Sequence, residues 1–414
     1  MRRRDFLATA AGLAALPNVG NTQEKAPMNS AFDILRFGAV PDGKTVCTKA
    51  IQDAIDACHQ AGGGQVVCGT GTFVTGSLQL KDRVELHLSV GCRLLGSPRL
   101  EDYTRLVAKG FRDELGPEKS AHGLIWAAYA EDIAVTGPGT IDGGGFAFYD
   151  TANAVGKFDK PSTPRPRIGM FYQCRKLRLQ DATLVDSPCW TLWLMQCENV
   201  QIQRLTITGN RRMRNVDGID IDACRNVTVS DCQIETEDDC LILRSIQRLY
   251  ETPAVCENVV VSNCVLDSGC QGVRVGCPGD GVIRNCTFAN LVIRSANNGI
   301  LCEHPHRYLA AGTAGTAHIT NILFSQVVVD CQRNPIKVVV EEGIALPRLA
   351  GLSFADFRIR SGAPCVIQGC KETIIRDVSF ANVCLETTGE DAILCRHCQN
   401  VHLNNVTLAN RAEG

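Results

Sequence analysis

Short segments of alternating apolar and polar residues recur along most of this chain, and each opens with a turn that carries cysteine or asparagine. In five turns the cysteine stands at the same phase of the repeat, at Cys174, Cys197, Cys224, Cys256 and Cys398. The first four are 23, 27 and 32 residues apart, and period-2 strands that return every ~20–30 residues are typical of a β-solenoid. The sequence therefore predicts an all-β, right-handed parallel β-helix.

Two other folds built from short strands fit this pattern less well. Leucine-rich repeats would show a regular leucine frame and a helix or 3-10 turn in each repeat, which the chain lacks. A sandwich of short strands would have no reason to keep cysteine and asparagine at one phase.

One amphipathic helix is predicted before the repeats, at residues 48–59. Ile51, Ala54, Ile55 and Cys58 fall on one stripe of such a helix. We expect it to cap the N-terminal end of the solenoid, because the first strands would otherwise leave an unpaired edge.

The N-terminus predicts export. The segment Arg3-Arg4-Asp-Phe-Leu precedes a short apolar run, as in twin-arginine signals, and that run is too short to span a bilayer as a mature helix. We expect residues 1–27 to be a signal and linker and residues 28–414 a single β-helix domain. The mature protein would be periplasmic or secreted, with no membrane partner. The alternative is a cytosolic protein with a basic tail.

The charge balance bears on the partner. Lys and Arg number 42 against 44 Asp and Glu, for a formal net charge of −2, and no basic block follows the N-terminal arginines. This argues against nucleic acid as a partner. We expect a monomer.

The 22 cysteines would suggest a disulfide framework in an exported protein. Their recurrence at one phase instead indicates small buried hydrophobic residues stacked in register. A protein that folds in the reducing cytoplasm before export would also keep them as thiols. We expect most to be free, with one to three disulfides possible.

Acidic and basic residues concentrate at three successive turns and strands. These segments are Asn215-Val-Asp217-Gly-Ile-Asp220-Ile-Asp222, Glu237-Asp238-Asp239-Cys-Leu-Ile-Leu-Arg244 and Gly269-Cys-Gln271-Gly-Val-Arg274. Asp217 and Asp239 are 22 residues apart, about one coil, so a solenoid would stack them with Asp238 alongside. Three carboxylates on one outer face repel one another, which raises at least one pKa and lowers stability.

Such a cluster is what glycoside hydrolysis requires. One carboxylic acid protonates the leaving oxygen, and one or two carboxylates activate a water molecule. A lone aspartate at a strand end more often makes local hydrogen bonds to the turn, but the stacking of three favours a catalytic role. A Ca²⁺ site held by the carboxylates is a third option.

Residues 32–410 resemble glycoside hydrolase family 28, the polygalacturonase-like enzymes of the pectin-active β-helix group. The matching segments, in the family's order, are Phe37-Gly-Ala-Val-Pro-Asp-Gly-Lys, the helix after it, Gly139-Thr-Ile-Asp142-Gly-Gly-Gly, Ser187-Pro-Cys-Trp190-Thr-Leu, Asn215-Val-Asp217 and Glu237-Asp238-Asp239. The resemblance implies that Asp238 is the general acid and that Asp217 and Asp239 hold the attacking water, with inversion at the anomeric carbon.

The chain departs from the family at two motifs. The family's Gly-His-Gly is Cys-Gln271-Gly here, and its Arg-Ile-Lys, which contacts the galacturonate carboxylate, is Leu301-Cys-Glu303. A glutamate in place of that lysine would repel an acidic sugar, so we expect a substrate site modified relative to plain polygalacturonases.

Six residues are expected to bind substrate beside the acids: Trp193, Asn215, Arg244, Gln271, Arg274 and Glu303. If Val273 and Val275 point into the core, Arg274 points outward and lies diagonal to Glu303, where its guanidinium could replace the missing cations. The alternative for both arginines is an ion pair with Asp220, Asp222 or Glu303. Trp193 could form an aromatic platform for a sugar, although tryptophan more commonly packs in a core.

The sequence thus predicts an exported glycoside hydrolase that cuts a pectic or related acidic polysaccharide or oligosaccharide, with no cofactor and no metal. One alternative is a β-helix lyase or epimerase in which Arg274 or Arg244 is the base. A second is a glycan-binding β-helix without activity.

Overall fold

The structure, a computed structural model, describes residues 31–152, 155–309, 315–388 and 391–410. The predicted signal segment, residues 1–27, lies outside the described residues, so its role stays a prediction. None of the helices in the described ranges is long and apolar enough to cross a membrane.

The described residues form one α-helix, 31 strands and seven 3-10 helices. The first strands are β1 Ala31–Asp33, β2 Asp42–Val46, β3 Gly64–Cys68, β4 Gly71–Thr75, β5 Leu78–Gln79, β6 Val84–Leu88, β7 Cys92–Gly96, β8 Gly123–Ala128, β9 Glu131–Thr136, β10 Thr140–Asp142, β11 Arg167–Tyr172, β12 Arg175–Gln180, β13 Thr183–Val185, β14 Leu192–Met195, β15 Glu198–Gln203 and β16 Thr206–Thr208. They continue with β17 Ile219–Asp222, β18 Arg225–Ser230, β19 Gln233–Thr236, β20 Leu241–Arg244, β21 Val255–Ser268, β22 Val273–Val275, β23 Val282–Ser295, β24 Ile300–His304, β25 His318–Cys331, β26 Ile336–Val340, β27 Arg348–Ser361, β28 Cys365–Gln368, β29 Ile375–Thr387, β30 Ile393–Arg396 and β31 Cys398–Asn410. The 3-10 helices are Ile34–Phe37, Leu100–Asp102, Asp113–Leu115, Pro117–Lys119, Gly145–Phe148, Gln247–Leu249 and His306–Tyr308.

The strands wind into a right-handed parallel β-helix, which confirms the predicted fold. One sheet has 11 strands and consists of β5, β8, β11, β14, β17, β20, β22, β24, β26, β28 and β30, in that order along the axis. The other sheet holds the remaining 20 strands and supplies the other walls of each coil. Strands of successive coils pair in parallel, as β14 with β17 and β17 with β20 do.

The predicted cap is helix α1, Thr48–Gln60. Its buried residues are those of the predicted stripe: Ile51, Ala54, Ile55 and Cys58. The helix contacts β1, β3, β5 and β6, so its apolar face covers the N-terminal end of the core.

Cysteines fill much of the core, as predicted. All 22 are free thiols, and the four anchor cysteines Cys174, Cys197, Cys224 and Cys256 are 0–1% exposed. Successive members contact one another, since the amide of Cys197 donates a hydrogen bond to the Cys224 sulfur at 3.3 Å. The stack therefore acts as a column of small apolar side chains.

Alternation along the strands of the 11-stranded sheet decides which side chains reach its outer face. In β17, Ile219 and Ile221 belong to the core cluster, so Asp220 and Asp222 point away from it. The same pattern places Arg274 of β22 on the outer face, as the sequence predicts. This face carries the candidate site.

Candidate active site

The three predicted acids lie on two adjacent coils. The amide of Gly218 donates a hydrogen bond to the Asp239 carbonyl oxygen at 2.9 Å, so Asp217 and Asp239 precede paired positions of β17 and β20. Asp238 stands at the same bend, and its amide donates to the Val216 carbonyl at 3.2 Å. The structure thus brings the three acids together as their spacing predicts.

Local backbone chemistry fixes these bends. Asn215 has a φ of 59°, in the left-handed region that asparagine tolerates better than most residues. Gly218 is required by contact, because a Cβ there would lie 2.3 Å from the Cys240 carbonyl oxygen. The Asp238 carbonyl accepts hydrogen bonds from the hydroxyls of Thr236 and Ser268 at 2.7 and 2.6 Å.

The acids differ in exposure. Asp217 and Asp239 are 2% and 1% exposed, whereas Asp238 is half-buried. The Oδ1 atoms of Asp217 and Asp239 are buried and find no hydrogen-bond partner among the described residues. Asp238 Oδ2 accepts a hydrogen bond from the Asn215 side-chain amide at 3.3 Å. Two carboxylates with a vacant acceptor oxygen therefore flank a third that reaches the surface.

Arg244 holds the first coil of the cluster. Its Nε donates to Asp220 Oδ1 at 2.6 Å and its Nη2 to Asp217 Oδ2 at 3.3 Å. The guanidinium lies 4.4 Å from the centre of the Trp190 ring and is 3% exposed as a residue. The ion-pair alternative is therefore what the structure shows for Arg244, and the predicted contact with substrate is not supported, because the guanidinium is enclosed.

Arg274 holds the second coil. Its Nε donates to Asp239 Oδ2, and its Nη1 donates to Glu303 Oε1 at 3.5 Å. Glu303 also accepts a hydrogen bond from Arg307 at 2.6 Å. Arg274 thus projects from the predicted face and lies diagonal to Glu303, but its guanidinium is engaged by two carboxylates.

Burial and mutual repulsion raise the pKa values of Asp217 and Asp239. Burial raises the pKa of Asp217 well above its ordinary value, and the charges of Asp238, Asp220 and Asp239 add to the rise. Burial also raises the pKa of Asp239 to about 6, against the opposing effect of Arg274. Asp217 and Asp239 are therefore less readily ionised than surface acids.

Glu237 ties a loop to this site. Its Oε2 accepts a hydrogen bond from the Asn215 amide at 2.9 Å, and its Oε1 pairs with Lys157 of the long segment between β10 and β11. The sequence shows Glu237 beside two aspartates, which indicated a role at this bend. Nothing in the sequence indicated Lys157 as the partner of Glu237.

An aromatic cover closes the face on the N-terminal side of the acids; we define it as Phe111, Leu249 and Tyr250. Phe111 forms an antiparallel bridge with Tyr250, and its ring lies 5.8 Å from that of Trp193. Trp193 is 0% exposed, and its indole Nε1 donates to Asp222 Oδ2 at 3.4 Å. The predicted sugar platform at Trp193 is wrong, because this cover buries the whole ring.

Arg167 lies near the candidate site and was not predicted from the sequence. It is 0% exposed, and its guanidinium lies 4.7 Å from the centre of the Trp193 ring. It opens β11, whose six residues are all buried. A charged residue at the start of an otherwise apolar strand was the available signal.

Gln271 occupies the coil after Asp239. Its Oε1 accepts hydrogen bonds from the Asn298 amide and side chain at 3.1 and 2.9 Å, and its Nε2 donates to the Cys270 sulfur at 3.1 Å. Gln271 is 5% exposed, so it offers little free surface to a ligand.

One group near the acids has the composition of a metal site. An oxygen of Asp238, an oxygen of Asp239 and the Cys270 sulfur lie within 4.8 Å of one another. Burial raises the pKa of the Cys270 thiol, and the charges of Asp239 and Asp238 add to the rise.

The family model "Glycosyl hydrolases family 28" matches residues 112–345. The chain belongs to this family. It is therefore a glycoside hydrolase, and the enzyme prediction is confirmed.

Relatives of the family 28 chain include plant proteins. It is 31% identical over 220 residues to a probable polygalacturonase of Vitis vinifera, a match covering 51% of this chain and 44% of that protein. It is 28% identical over 401 residues to a probable polygalacturonase of Arabidopsis thaliana, covering 90% and 78%. The solved exopolygalacturonase of Thermotoga maritima aligns with a TM-score of 0.65 at 19% identity, covering 91% of this chain and 92% of that one. The structural likeness supports the β-helix fold.

Proposed function

We propose that this enzyme hydrolyses a pectic or related acidic glycan with inversion, using Asp238 as general acid and Asp217 with Asp239 as the pair that activates water. One observation carries the proposal. Two buried carboxylates, each with an unpartnered oxygen, flank a half-buried third carboxyl on adjacent coils. Asp220 also has a buried oxygen without a partner, so the grouping of three carboxyls on adjacent coils supports the proposal more than the free oxygens do by themselves.

The proposed reaction uses each acid once. Protonated Asp238 gives its proton to the glycosidic oxygen as the bond from that oxygen to the anomeric carbon breaks. A water molecule held by Asp217 and Asp239 attacks the anomeric carbon from the opposite face and gives a proton to this pair. The products are two shorter sugars, and the proton returns from the pair to Asp238 through solvent.

The arginines tune this pair. Arg274 opposes the rise in the pKa of Asp239, and Arg244 opposes that of Asp217. Both cations favour the ionised carboxylate, which is the form that can accept a proton from water.

The substrate class rests on relatives and on the shape of the face. Two relatives are named polygalacturonases, which supports a pectic substrate. The aromatic cover packs over Trp193 on the N-terminal side of the acids, whereas Glu303 and Lys337 are partly exposed on the C-terminal side. Such a cover would obstruct a glycan on the N-terminal side and favours removal of units from a chain end, so we propose exo action.

A lyase or epimerase is the second candidate from the sequence, and the arginines argue against it. An arginine base must be neutral to take a proton from C5. Neighbouring carboxylates raise the pKa of Arg244 and Arg274 above the ordinary value for arginine, which keeps both charged. Lysis would also yield an unsaturated, ultraviolet-absorbing product, which hydrolysis does not.

The test is digestion of a panel of pectic fractions by the purified enzyme. We expect new reducing ends, no ultraviolet-absorbing product, release of short products from the start, and the inverted anomer in early proton NMR spectra. A chain that binds these fractions but releases no reducing ends from any of them would be a glycan-binding β-helix, contrary to the proposal.

We also propose that the enzyme is exported through its twin-arginine segment and acts as a monomer formed by one β-helix domain. Arg3→Lys with Arg4→Lys should leave the protein in the cytoplasmic fraction of the producing cell. Size-exclusion chromatography with light scattering should give one chain per particle. Cytoplasmic retention of the unsubstituted protein, or a dimer mass, would contradict these points.

A further inference from the structure

The cations beside the acids are already engaged by protein carboxylates. Arg244 pairs with Asp217 and Asp220, and Arg274 pairs with Asp239 and Glu303. A substrate carboxylate next to the acids would have to displace one of these contacts. It would also face Glu303, which is partly exposed.

Two cationic side chains of the coil that contains β26 have no ion-pair partner among the described residues. Arg333 is exposed in the bend before β26, and Lys337 is partly exposed on its outer face, paired with Leu301 of β24. Neither side chain has a carboxylate within ion-pair distance in the ranges that the structure describes. Both are therefore available to a ligand.

The hydrogen-bond ladder places these cations relative to the acids. The Asn297 amide donates to the Cys270 carbonyl at 3.1 Å, and the Arg333 amide donates to the Asn297 carbonyl at 2.9 Å. Cys270 lies one coil after Asp238, so Arg333 lies three coils after it. At a strand spacing of about 4.7–4.9 Å, the two positions are about 14 Å apart along the axis.

We propose that Arg333 and Lys337 form a subsite for the carboxylate of a uronic acid residue that lies beyond the sugar next to the cleaved bond. The sugar next to that bond then meets polar groups that are already engaged by protein side chains, and needs no charge. A bound chain that extends from the acids toward the C-terminal coils crosses β24 and then meets Lys337 of β26. The inference rests on the proposed function.

Chemistry favours a carboxylate as the ligand of this subsite. Two unpaired cations on one coil attract an anion, and both a guanidinium and an ammonium donate hydrogen bonds to carboxylate oxygens. Neutral sugar hydroxyls would gain little from either charge.

Binding of hexagalacturonate tests the subsite without relying on turnover. The protein is full-length with Asp238→Asn, so that the ligand stays intact, and calorimetry measures Kd at low and high salt. Arg333→Gln and Lys337→Gln should each raise Kd about fivefold or more. The control is Arg376→Gln, which removes an exposed arginine of β29 on the larger sheet and should change Kd less than twofold.

Two further ligands separate charge from general contact. Carboxyl-reduced hexasaccharide should bind the parent and both variants equally, and digalacturonate, which is too short to span three coils, should show no effect of either substitution. Equal losses on charged and reduced ligands, an unchanged Kd in both variants, or no binding of hexagalacturonate by the parent would each overturn the subsite. The proposed function fails separately, through the absence of hydrolysis by the unsubstituted enzyme.

Discussion

Arg244 and Arg274 stand on the same face one coil apart, each bound to an acid of the candidate site, yet their surroundings differ. Arg244 lies against the Trp190 ring and pairs with two aspartates that are 2% and 0% exposed. Arg274 pairs with buried Asp239 on one side and with Glu303 on the other, and Glu303 leads to the exposed Arg307.

The difference separates a fixed half of the site from an adjustable half. Under the aromatic cover, water cannot replace a lost partner, so each charge there depends on the other. At Glu303 solvent and substrate can compete for the same contacts, which weakens each ion pair. We therefore expect substitutions near Arg244 to affect folding and those near Glu303 to affect substrate preference.

The largest effect is expected at the acid between the two arginines. Asp238→Asn should lower turnover by about 10³-fold, because it removes the proton donor. Its thermal stability should barely change, since relief of repulsion with Asp217 and Asp239 offsets the lost hydrogen bond from Asn215. Initial rates and thermal melts measure the two quantities. Near-normal turnover on the true substrate would exclude Asp238 as the general acid.

Arg244→Met should destabilise the protein most. It leaves Asp217 and Asp220 without their cation, and breaking a buried ion pair of this kind costs about 3–5 kcal/mol. Adding Asp220→Asn should restore part of the unfolding free energy but not the activity, because Asp217 still lacks its partner. Chemical denaturation measures the first and initial rates the second. A single variant as stable as the parent would show that the cover does not enclose this pair.

Arg274→Gln should change the pH dependence more than the stability. Asp239 can accept a proton only when ionised, so activity is lost as pH falls through its pKa, near 6 in the intact protein. Removing the guanidinium raises that pKa further, and the acid limb of kcat/KM should move up by about one pH unit. Asp239→Asn serves as the control for loss of the base itself. A limb that stays in place would mean that Arg274 does not act on Asp239.

Glu303→Gln should have the smallest effect. Glu303 is partly exposed and shared by Arg274 and Arg307, so its loss should change stability by about 1 kcal/mol or less. Arg274 would gain freedom to meet a substrate carboxylate, and KM for galacturonate oligomers should fall a few-fold while that for their carboxyl-reduced forms stays constant. Arg307→Gln, which leaves the Arg274 contact intact, is the matched comparison. A higher KM in Glu303→Gln would indicate that Glu303 itself binds the sugar.

Repetition made the fold predictable. The stripe of α1 was correct residue by residue, and the phase of the cysteines placed them in the core, because both follow from local periodicity. The stacking of Asp217 with Asp239 followed from one coil of spacing. The α1 stripe needed only the periodicity of an α-helix, and the other two predictions needed only the length of one coil.

The contacts made by the long segments outside the coils could not be predicted from the repeat. Trp193 lies on the predicted face, yet Phe111 arrives from a segment some 80 positions earlier and buries it. Lys157 reaches Glu237 in the same way. Period and phase say nothing about where an irregular segment folds back. The sequence therefore indicated which side chains share the face but not which of them remain open.

The constant rise from coil to coil has a practical meaning for how such an enzyme can change. Successive strands of the 11-stranded sheet lie along the proposed path of the glycan, and the acids occupy fixed positions on that path. A point substitution at Lys337 of β26 can alter which unit of the polymer is bound without displacing the reaction centre, because this side chain makes no ion pair with the acids' coils in the ranges that the structure describes. Glu303 of β24 differs, since it pairs with Arg274 and is thereby linked to Asp239. Selectivity for individual sugar units of the polymer can therefore change through single substitutions, while the catalytic residues keep their positions.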